Sequence, residues 1–494
     1  MGEVPVLMPQ LAQAAAPAPT GTSLPPLVVD LDGTLLRTDV TAESVFVLVK
    51  RDPRALLSLP WALLRGRAVF KRALAQRAQP DVDTLPLNEP LLEFLRHERH
   101  RGRALILATG ADQLVAHRIA ARLGLFDSVF ASDGRTNMTG DTKRGRLVAA
   151  FGERGFDYVG NSRRDLPVWG AARRALVAGG ATHHLHAVRQ VGSVDRVFAD
   201  KAVAPGRQLA TWLEQLRWRH WIKNALVLVP IVLAHRLGDM GAVAAAVLAT
   251  LAFCAAASSI YLINDLIDLP SDRRHPRKRE RPLASGRLPI LRAIAAIPLL
   301  WGAASLCALF LPPACGALIV LYVAAMLAYS LRLKDLRYVD AAVLAGGYTL
   351  RAWVGTWAIG LAVDPWLAAW CLPTFFGLAL LKRRAELAAW ATHPGAAHGR
   401  AYRPADARPL AAIGRSATSL GAAALAVLPL AHGDRPTAIA GLWLAALLLA
   451  VGTRRLWRCA AEGRIEDDPV AFAMRDPPSR ALGLSAAALL AVLA

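Results

Sequence analysis

The sequence predicts a two-part chain: an N-terminal α/β domain with a helical cap, then an all-α polytopic membrane bundle of about nine transmembrane helices. Three observations carry this prediction. Charges are spread as in a globular protein up to about residue 215; afterwards long neutral runs appear, among them a charge-free stretch of 25 residues, Met240 to Asn264. The apolar run opening "LVVDLDGTLL" ends in two acids at alternate positions followed by Gly33-Thr34, as in a buried parallel strand that delivers polar groups at its carboxyl end. The formal charge of +21 is concentrated in basic clusters beside the neutral runs, which favours an anionic membrane surface or a polyphosphate substrate over nucleic acid.

Met1 to Pro26 is rich in Ala and Pro, contains no Lys or Arg, and reads as a disordered tail without the basic start of a signal peptide. The five cysteines show no CxxC or Cys/His ligand spacing, and four of them lie in apolar stretches, so they read as small buried hydrophobes. No nucleic-acid-binding module is recognisable, so no nucleic-acid partner is expected.

The soluble domain is expected over residues 27–180. After the strand that carries Asp30 and Asp32, "LILATG" is a second strand delivering Thr109, "TKRGRL" contains Lys143, and "YVGNSRRDLPVW" presents Asn161 and Asp165 on a strand and loop. A helical-looking insert, "RDPRALLSLPWALLRGRAVFKRALAQRA", lies between Asp39 and Asn88. In this order the four elements resemble the haloacid-dehalogenase (HAD) superfamily of phosphotransferases, with a Rossmann-like α/β domain and a cap at about 40–88. The resemblance implies a phosphatase in which Asp30 is the nucleophile that becomes an aspartyl-phosphate and Asp32 the general acid/base. Thr109 and Lys143 would hold the phosphoryl group, while Asp30 and Asp165 would bind Mg²⁺. Asn161 departs from the acid common at its place. The bases of the insert either recognise a phosphate substrate, lie against anionic lipid, or form a solvated helical face. Residues 181–212 read as a linker, because His183, His184 and His186 come without Cys or acid at zinc spacing.

The membrane half is expected over residues 213–494. Arg292 to Arg332 encloses 39 uncharged residues that Pro312-Pro313 divides into two bilayer lengths. Ala341 to Leu381 reads similarly, with Asp364-Pro365 as the turn. Ser416–Gly433, Pro436–Thr453 and a short Ala481–Ala494 follow, and Asn224–His235 becomes a span only if Leu213–Trp221 contributes. The loops after spans two, four, six and eight carry the basic clusters, whereas the opposite loops carry little beyond Arg236 and Arg435. The positive-inside bias therefore predicts a multi-pass protein of the inner or plasma membrane, with its N-terminal domain and basic loops in the cytoplasm.

The second span runs into "YLINDLIDLPSDRRHPRKRERPLASG". Asn264, Asp265 and Asp268 lie within about one helical turn and can share a face, and Pro270 places Asp272 in the emerging loop. Carboxylates crowded at a membrane interface call for a hard cation, and Mg²⁺ bound by a few carboxylates completes its shell with substrate phosphates. Arg273, His275, Lys278 and Arg281 then supply donors for further phosphate oxygens. The plainer alternative is a solvated juxtamembrane charge cluster.

N-D-x-x-D-x-x-x-D-R at 264–273 resembles the first signature of the UbiA-type membrane prenyltransferases, intramembrane helical bundles that bind Mg²⁺-diphosphate in a central cavity. His275 to Gly286, together with R-W-R-H-W-I-K-N (217–224), Y-S-L-R-L-K (329–334) and L-K-R-R-A-E-L (381–387), is similar to a narrower branch, decaprenyl-phosphate phosphoribosyltransferase. The resemblance spans roughly Arg217 to Arg480. It implies a Mg²⁺ site at Asp265, Asp268 and Asp272, and substrate contacts from Lys223, Asn264, Arg273, His275, Lys278, Arg281, Tyr329, Arg332 and Lys334. The usual second D-x-x-x-D is absent: Asp335 and Asp340 are separated by four residues. That suits a site where Lys334 and Arg332 grip phosphates and Asp340 partners a metal or ribose; Asp335 reads equally as an exposed loop acid. Arg351, alone inside a span, should face the bundle interior and meet a substrate anion. Glu386 reads as an internal salt-bridge partner.

The implied reaction takes phosphoribosyl diphosphate as donor and polyprenyl phosphate as acceptor, and the fused phosphatase then removes the phosphate left on the sugar. Two alternatives stand beside it. One is prenylation of an aromatic, quinone-type acceptor with an isoprenyl diphosphate; the other is a non-catalytic lipid-binding protein or transporter.

Overall fold

The computed structural model describes residues 24–179, 184–198, 205–392, 401–432, 436–465 and 468–493. Most of the predicted tail, and His183, fall outside the described residues. The chain forms two compact units, Met1–Gln208 and Leu209–Ala494.

In the first unit, β1 (Leu27–Val29), β2 (Leu105–Asp112), β3 (Ser128–Ser132), β4 (Asp157–Gly160), β5 (Arg174–Ala178) and β6 (Val194–Phe198) form one parallel sheet, ordered β3-β2-β1-β4-β5-β6. Period-two alternation buries both faces of β1. Leu27, Val29 and Leu31 pack with Leu91, Leu95 and Ile119 on one side, whereas Val28 packs with Leu147, Phe156 and Trp169 on the other. Each such side chain contributes about 1.5–3 kcal/mol by leaving water. Strand order reverses between β1 and β4, and the crevice beyond the strand ends at such a reversal is where open α/β sheets bind ligands. Asp30 follows β1 into that crevice, its N–H bonded to the Val159 carbonyl at 3.0 Å.

Helices Val40–Arg51, Leu59–Leu64 and Arg67–Arg77 occupy the predicted cap region. The first starts at Asp39, whose Oδ1 accepts from the Ala42 N–H at 2.8 Å. The sheet domain does not stop at 180, as the sequence reading had it. Helix Leu185–Val191 and β6 belong to it, with Val188 buried and Val194 and Val197 packed on the second core. A five-residue edge strand with Asp195 and Arg196 exposed carries too little apolar patterning to be read as a strand from sequence.

In the second unit, six helices among the described residues are long and apolar enough to cross a membrane. They are Met240–Ile267, Ile290–Ala308, Pro313–Leu331, Pro365–Ala388, Pro404–Val427 and Ile439–Ala461. The expected nine is not reached, for three physical reasons. Asn224–His235 folds as a 3-10 helix, Trp218–Leu228, followed by only five α-helical residues, Val229–Leu233, at Pro230. Val339–Ala358 has the length, at 20 residues, but carries the buried charges of Asp340 and Arg351. The last helix, Pro477–Leu493, is 17 residues long.

Asp239 caps Met240–Ile267 by accepting from the Ala242 N–H at 3.0 Å. Ala249, Ala252, Ala256 and Ala257 let neighbouring helices approach closely, around a core completed by Phe253, Ile319, Tyr322 and Val354. The 3-10 segment lies directly on Gly355, where a Cβ would fall 2.0 Å from the Val227 carbonyl oxygen.

Candidate active sites

The soluble crevice gathers the residues expected there. Lys143, in the first turn of helix Asp141–Phe151, donates from Nζ to Asp30 Oδ1 at 2.8 Å, to Tyr158 Oη at 2.9 Å and to Asp165 Oδ1 at 3.5 Å. Tyr158 in turn donates to Asp165 Oδ1 at 2.7 Å. Burial alone would lower the Lys143 pKa, but Asp30 and Asp165 outweigh it and keep the ammonium charged. Thr109 is fully buried beyond the Leu107↔Val29 register, and its hydroxyl oxygen accepts from the Ala111 N–H at 3.0 Å. Asp32 Oδ1 accepts from the Val40 N–H at 2.9 Å. Desolvation and the neighbouring Asp39 push the Asp32 carboxyl well above its usual range.

Asp165, expected as a Mg²⁺ ligand, is otherwise engaged. Its Oδ2 accepts from the Asn161 N–H, the Ser162 N–H and the Ser162 hydroxyl at 3.2, 3.0 and 3.0 Å, and its Oδ1 from Tyr158 and Lys143. Burial would raise this carboxyl, yet Lys143, Tyr158 and Ser162 hold it below the ordinary value. The Asn161 side chain lies against Gly33, which has φ +73° and where a Cβ would fall 2.0 Å from Asn161 Nδ2. Asp30 and Asp165 share the Lys143 ammonium between them.

One contributor comes from the bases of the insert, which the sequence reading did not distinguish from one another. Lys71, on cap helix Arg67–Arg77, donates to the Gly110 carbonyl at 2.5 Å and to Asn137 Oδ1 at 2.9 Å. Its neighbour Arg72 pairs with Asp112 at 2.9 Å, so the cap is tied to the segment after Thr109. Burial lowers the Lys71 pKa, opposed by Asp32 and Asp39. Being the single lysine of the insert was the available signal.

In the membrane unit, acid and base alternate around the end of Met240–Ile267. Asp265 Oδ2 accepts from Gln215 at 2.8 Å, and its Oδ1 from Arg217 at 2.5 Å and Arg281 at 3.3 Å. The same Arg281 Nη1 donates to Asp272 Oδ2 at 2.7 Å. Burial raises the Asp272 carboxyl, with Arg281 opposing. Asp268 caps the helix end and takes Lys334 on both oxygens, at 2.9 and 2.8 Å. Arg217 reaches Asp265 from a left-handed backbone, φ +54°, a strain of the kind functional sites retain.

The remaining expected residues divide. Asn264 is partly buried one turn before Asp268. Arg273 donates to the Ala284 carbonyl at 3.1 Å, and His275 Nδ1 accepts from the N–H groups of Arg277 and Lys278 at 3.2 and 3.4 Å. Lys278, Arg332 and Asp335 are exposed. Asp340, expected to meet metal or ribose, is instead fully buried against Arg383 at 2.6 Å and the Tyr402 hydroxyl at 2.5 Å. Arg383 also holds Glu386 at 2.7 Å and Tyr329 at 3.1 Å, so Glu386 is the internal partner its sequence context indicated. Arg351 does face the bundle interior. It contacts neutral groups: Asn224 Oδ1 at 2.8 Å, the Gly347 carbonyl at 2.6 Å, the Tyr322 hydroxyl at 3.2 Å and the rings of Phe253, Tyr322 and Tyr348. Lys223 pairs with Asp468. Burial would raise the Asp468 carboxyl, but Lys223 and Lys382 outweigh it and hold it down at about 2. The buried Nδ1 of His220 has no partner among the described residues.

Among the described residues no group of three or more His, Cys, Asp or Glu is arranged to hold a metal. Asp265 and Asp272 nevertheless share one cationic nitrogen of Arg281, which stands in for a cation between them. Two carboxylates plus substrate phosphates suffice for Mg²⁺, so this pair fits the ion. An apolar cavity of about 740 Å³, lined by Ala345, Trp366, Leu372, Phe376 and Leu420 among others, opens between helices of the same unit.

A parallel-sheet unit with a phosphohydrolase-type crevice, followed by a membrane bundle with interleaved acids and bases, defines a two-part membrane enzyme. The chain carries a UbiA prenyltransferase family domain over residues 225–464 and a haloacid dehalogenase-like hydrolase domain over residues 27–169. It is 34% identical to the uncharacterized protein y4nM of Sinorhizobium fredii over 93% of this chain and 89% of that one. It is 32% identical to the nodulation protein NoeC of Azorhizobium caulinodans, over 54% of this chain and 88% of that one. A decaprenyl-phosphate phosphoribosyltransferase of Mycolicibacterium smegmatis is 38% identical over 38% of this chain and 61% of its own length. Among solved structures, a UbiA homolog from Archaeoglobus fulgidus bound to DMAPP and Mg2+ is similar at 16% identity, covering 57% of this chain and 100% of its own, with a TM-score of 0.42.

Proposed function

We propose that the membrane unit transfers a phosphoribosyl group from phosphoribosyl diphosphate to a polyprenyl phosphate with loss of diphosphate, on the cytoplasmic side. The observation that carries this reading is Arg281 Nη1 shared between Asp265 and Asp272, with Arg217 on the same Asp265 oxygen. An acid pair for a cation, interleaved with guanidinium donors for phosphate oxygens, is what a departing diphosphate requires. Mg²⁺ held by Asp265 and Asp272, with Asp268 adjoining, would neutralise charge developing on the leaving group. Arg217, Arg281 and Lys334 bind and orient the anion, and the apolar cavity suits the lipid chain. Resemblance to the phosphoribosyltransferase of Mycolicibacterium smegmatis supports the choice of donor.

The soluble unit, on this reading, removes the phosphomonoester left on the transferred sugar. Asp30 attacks phosphorus while Lys143 and Thr109 hold the phosphoryl oxygens and Asp32 gives its proton to the leaving alkoxide; water then attacks the aspartyl-phosphate, Asp32 takes its proton, and inorganic phosphate leaves Asp30. Purified full-length protein given labelled phosphoribosyl diphosphate and polyprenyl phosphate tests the proposal: labelled lipid is expected. Absence of labelled lipid, with prenylation of an aromatic acceptor by an isoprenyl diphosphate, would replace it; ligand binding without turnover would reject both.

A further inference from the structure

The cap of the soluble unit exposes a compact apolar patch. Leu57, Trp61, Leu63 and Leu64 are 78%, 72%, 52% and 79% exposed, within eight residues of one another. They lie on the 3-10 helix Pro53–Ser58 and helix Leu59–Leu64. The opposite side of this segment is anchored: Leu59 is buried with Leu48, Leu74 and Ala78, and Ala55 and Leu56 pack against the same cluster. Leaving four large side chains in water is costly, and grouped exposure of this kind marks an interaction surface.

The charges around the patch identify its occupant. Between Lys50 and Arg67 there are five bases, Lys50, Arg51, Arg54, Arg65 and Arg67, against the single acid Asp52. Lys50, Arg51, Arg54, Arg65 and Arg67 are all exposed. A protein partner of ordinary composition does not call for apolar centre and cationic rim together; a bilayer with anionic head groups does, because leucines enter the acyl boundary, an indole rests at head-group level and bases meet phosphates. The same chain carries six helices suited to crossing a membrane, so a lipid surface is always connected to this domain. We propose that Leu57, Trp61, Leu63 and Leu64 form an interfacial anchor that docks the cap on an anionic membrane surface. The inference stands on the membrane character of the chain and not on either proposed reaction.

The test uses full-length protein reconstituted in vesicles of neutral and anionic phospholipid, with photoreactive p-benzoylphenylalanine replacing Leu64 or, as control, the exposed His117. Mass spectrometry should find phospholipid adducts at position 64 at least several-fold above position 117, declining when anionic lipid is omitted. Adducts to another copy, or to a peptide of the membrane unit, would identify a protein-covered face and overturn the proposal, as would equal labelling at the two positions. Because Leu64 is exposed, its replacement leaves the buried Leu59 cluster untouched. As an independent check, L57E/L64E should speed tryptic cleavage at Arg65 on vesicles several-fold; an unchanged rate contradicts docking.

Discussion

Lys334 holds both carboxylate oxygens of Asp268, at 2.9 and 2.8 Å, across 66 residues of sequence. The pair ties the loop after Pro313–Leu331 to the end of Met240–Ile267, and Lys334 itself is buried. Lys334→Met removes the hydrogen bonds this ammonium gives Asp268, and should cost about 1–3 kcal/mol of stability and lower transfer at least tenfold. Thermal unfolding in detergent and lipid-product assays check this. The double variant K334M/D268N should recover most of the stability but not the transfer, because the two substitutions couple.

Blocking the soluble site should separate the reactions. Asp30→Asn removes the proposed nucleophile while keeping its shape, so the phosphorylated lipid should accumulate and the dephosphorylated one disappear. Unchanged proportions of the two lipids, read by mass spectrometry, contradict sequential action.

Tyr158→Phe removes the hydroxyl that links Lys143 to Asp165. Losing one buried partner costs about 1–3 kcal/mol. Phosphatase kcat should fall about tenfold, and stability modestly, while formation of the phosphorylated lipid is unaffected. The comparison is made on the same purified preparation.

The pH profile of the phosphatase reports Asp32. Its raised pKa keeps the proton at pH values where an ordinary carboxyl has lost it, so activity should persist upward and fall as pH rises through that raised value. Asp39 is one cause of the elevation. Asp39→Asn retains a side-chain oxygen for the Ala42 cap but removes the charge, and should move the alkaline limb to lower pH. A limb that does not move assigns the titration elsewhere.

Much of this architecture was legible from residue patterns, and the failures have physical causes. The charge-free run before Asn264 announced a membrane helix, and the D-x-D-G-T strand announced the crevice, because each rests on local periodicity. Lys143 and Asp165 were legible as crevice residues. That Tyr158 and Ser162 would both bond the Asp165 carboxylate was not, since it depends on how the chain folds around it. Asp340 read as a metal or ribose partner at a helix start, yet it pairs with Arg383, 43 residues on. Gln215 and Arg217 reach Asp265 from about 50 residues away, a distance no helical spacing encodes. β6 was missed because an exposed edge strand needs little apolar alternation.

Diphosphate release by purified full-length protein, supplied with phosphoribosyl diphosphate and polyprenyl phosphate, bears most directly on the proposed cation site at Asp265 and Asp272. Release should require Mg²⁺, stop on chelation, and drop roughly 10²–10³-fold in Asp265→Asn and in Asp272→Asn proteins that remain correctly folded. Wild-type rates in either variant, or turnover that survives complete chelation, would contradict it.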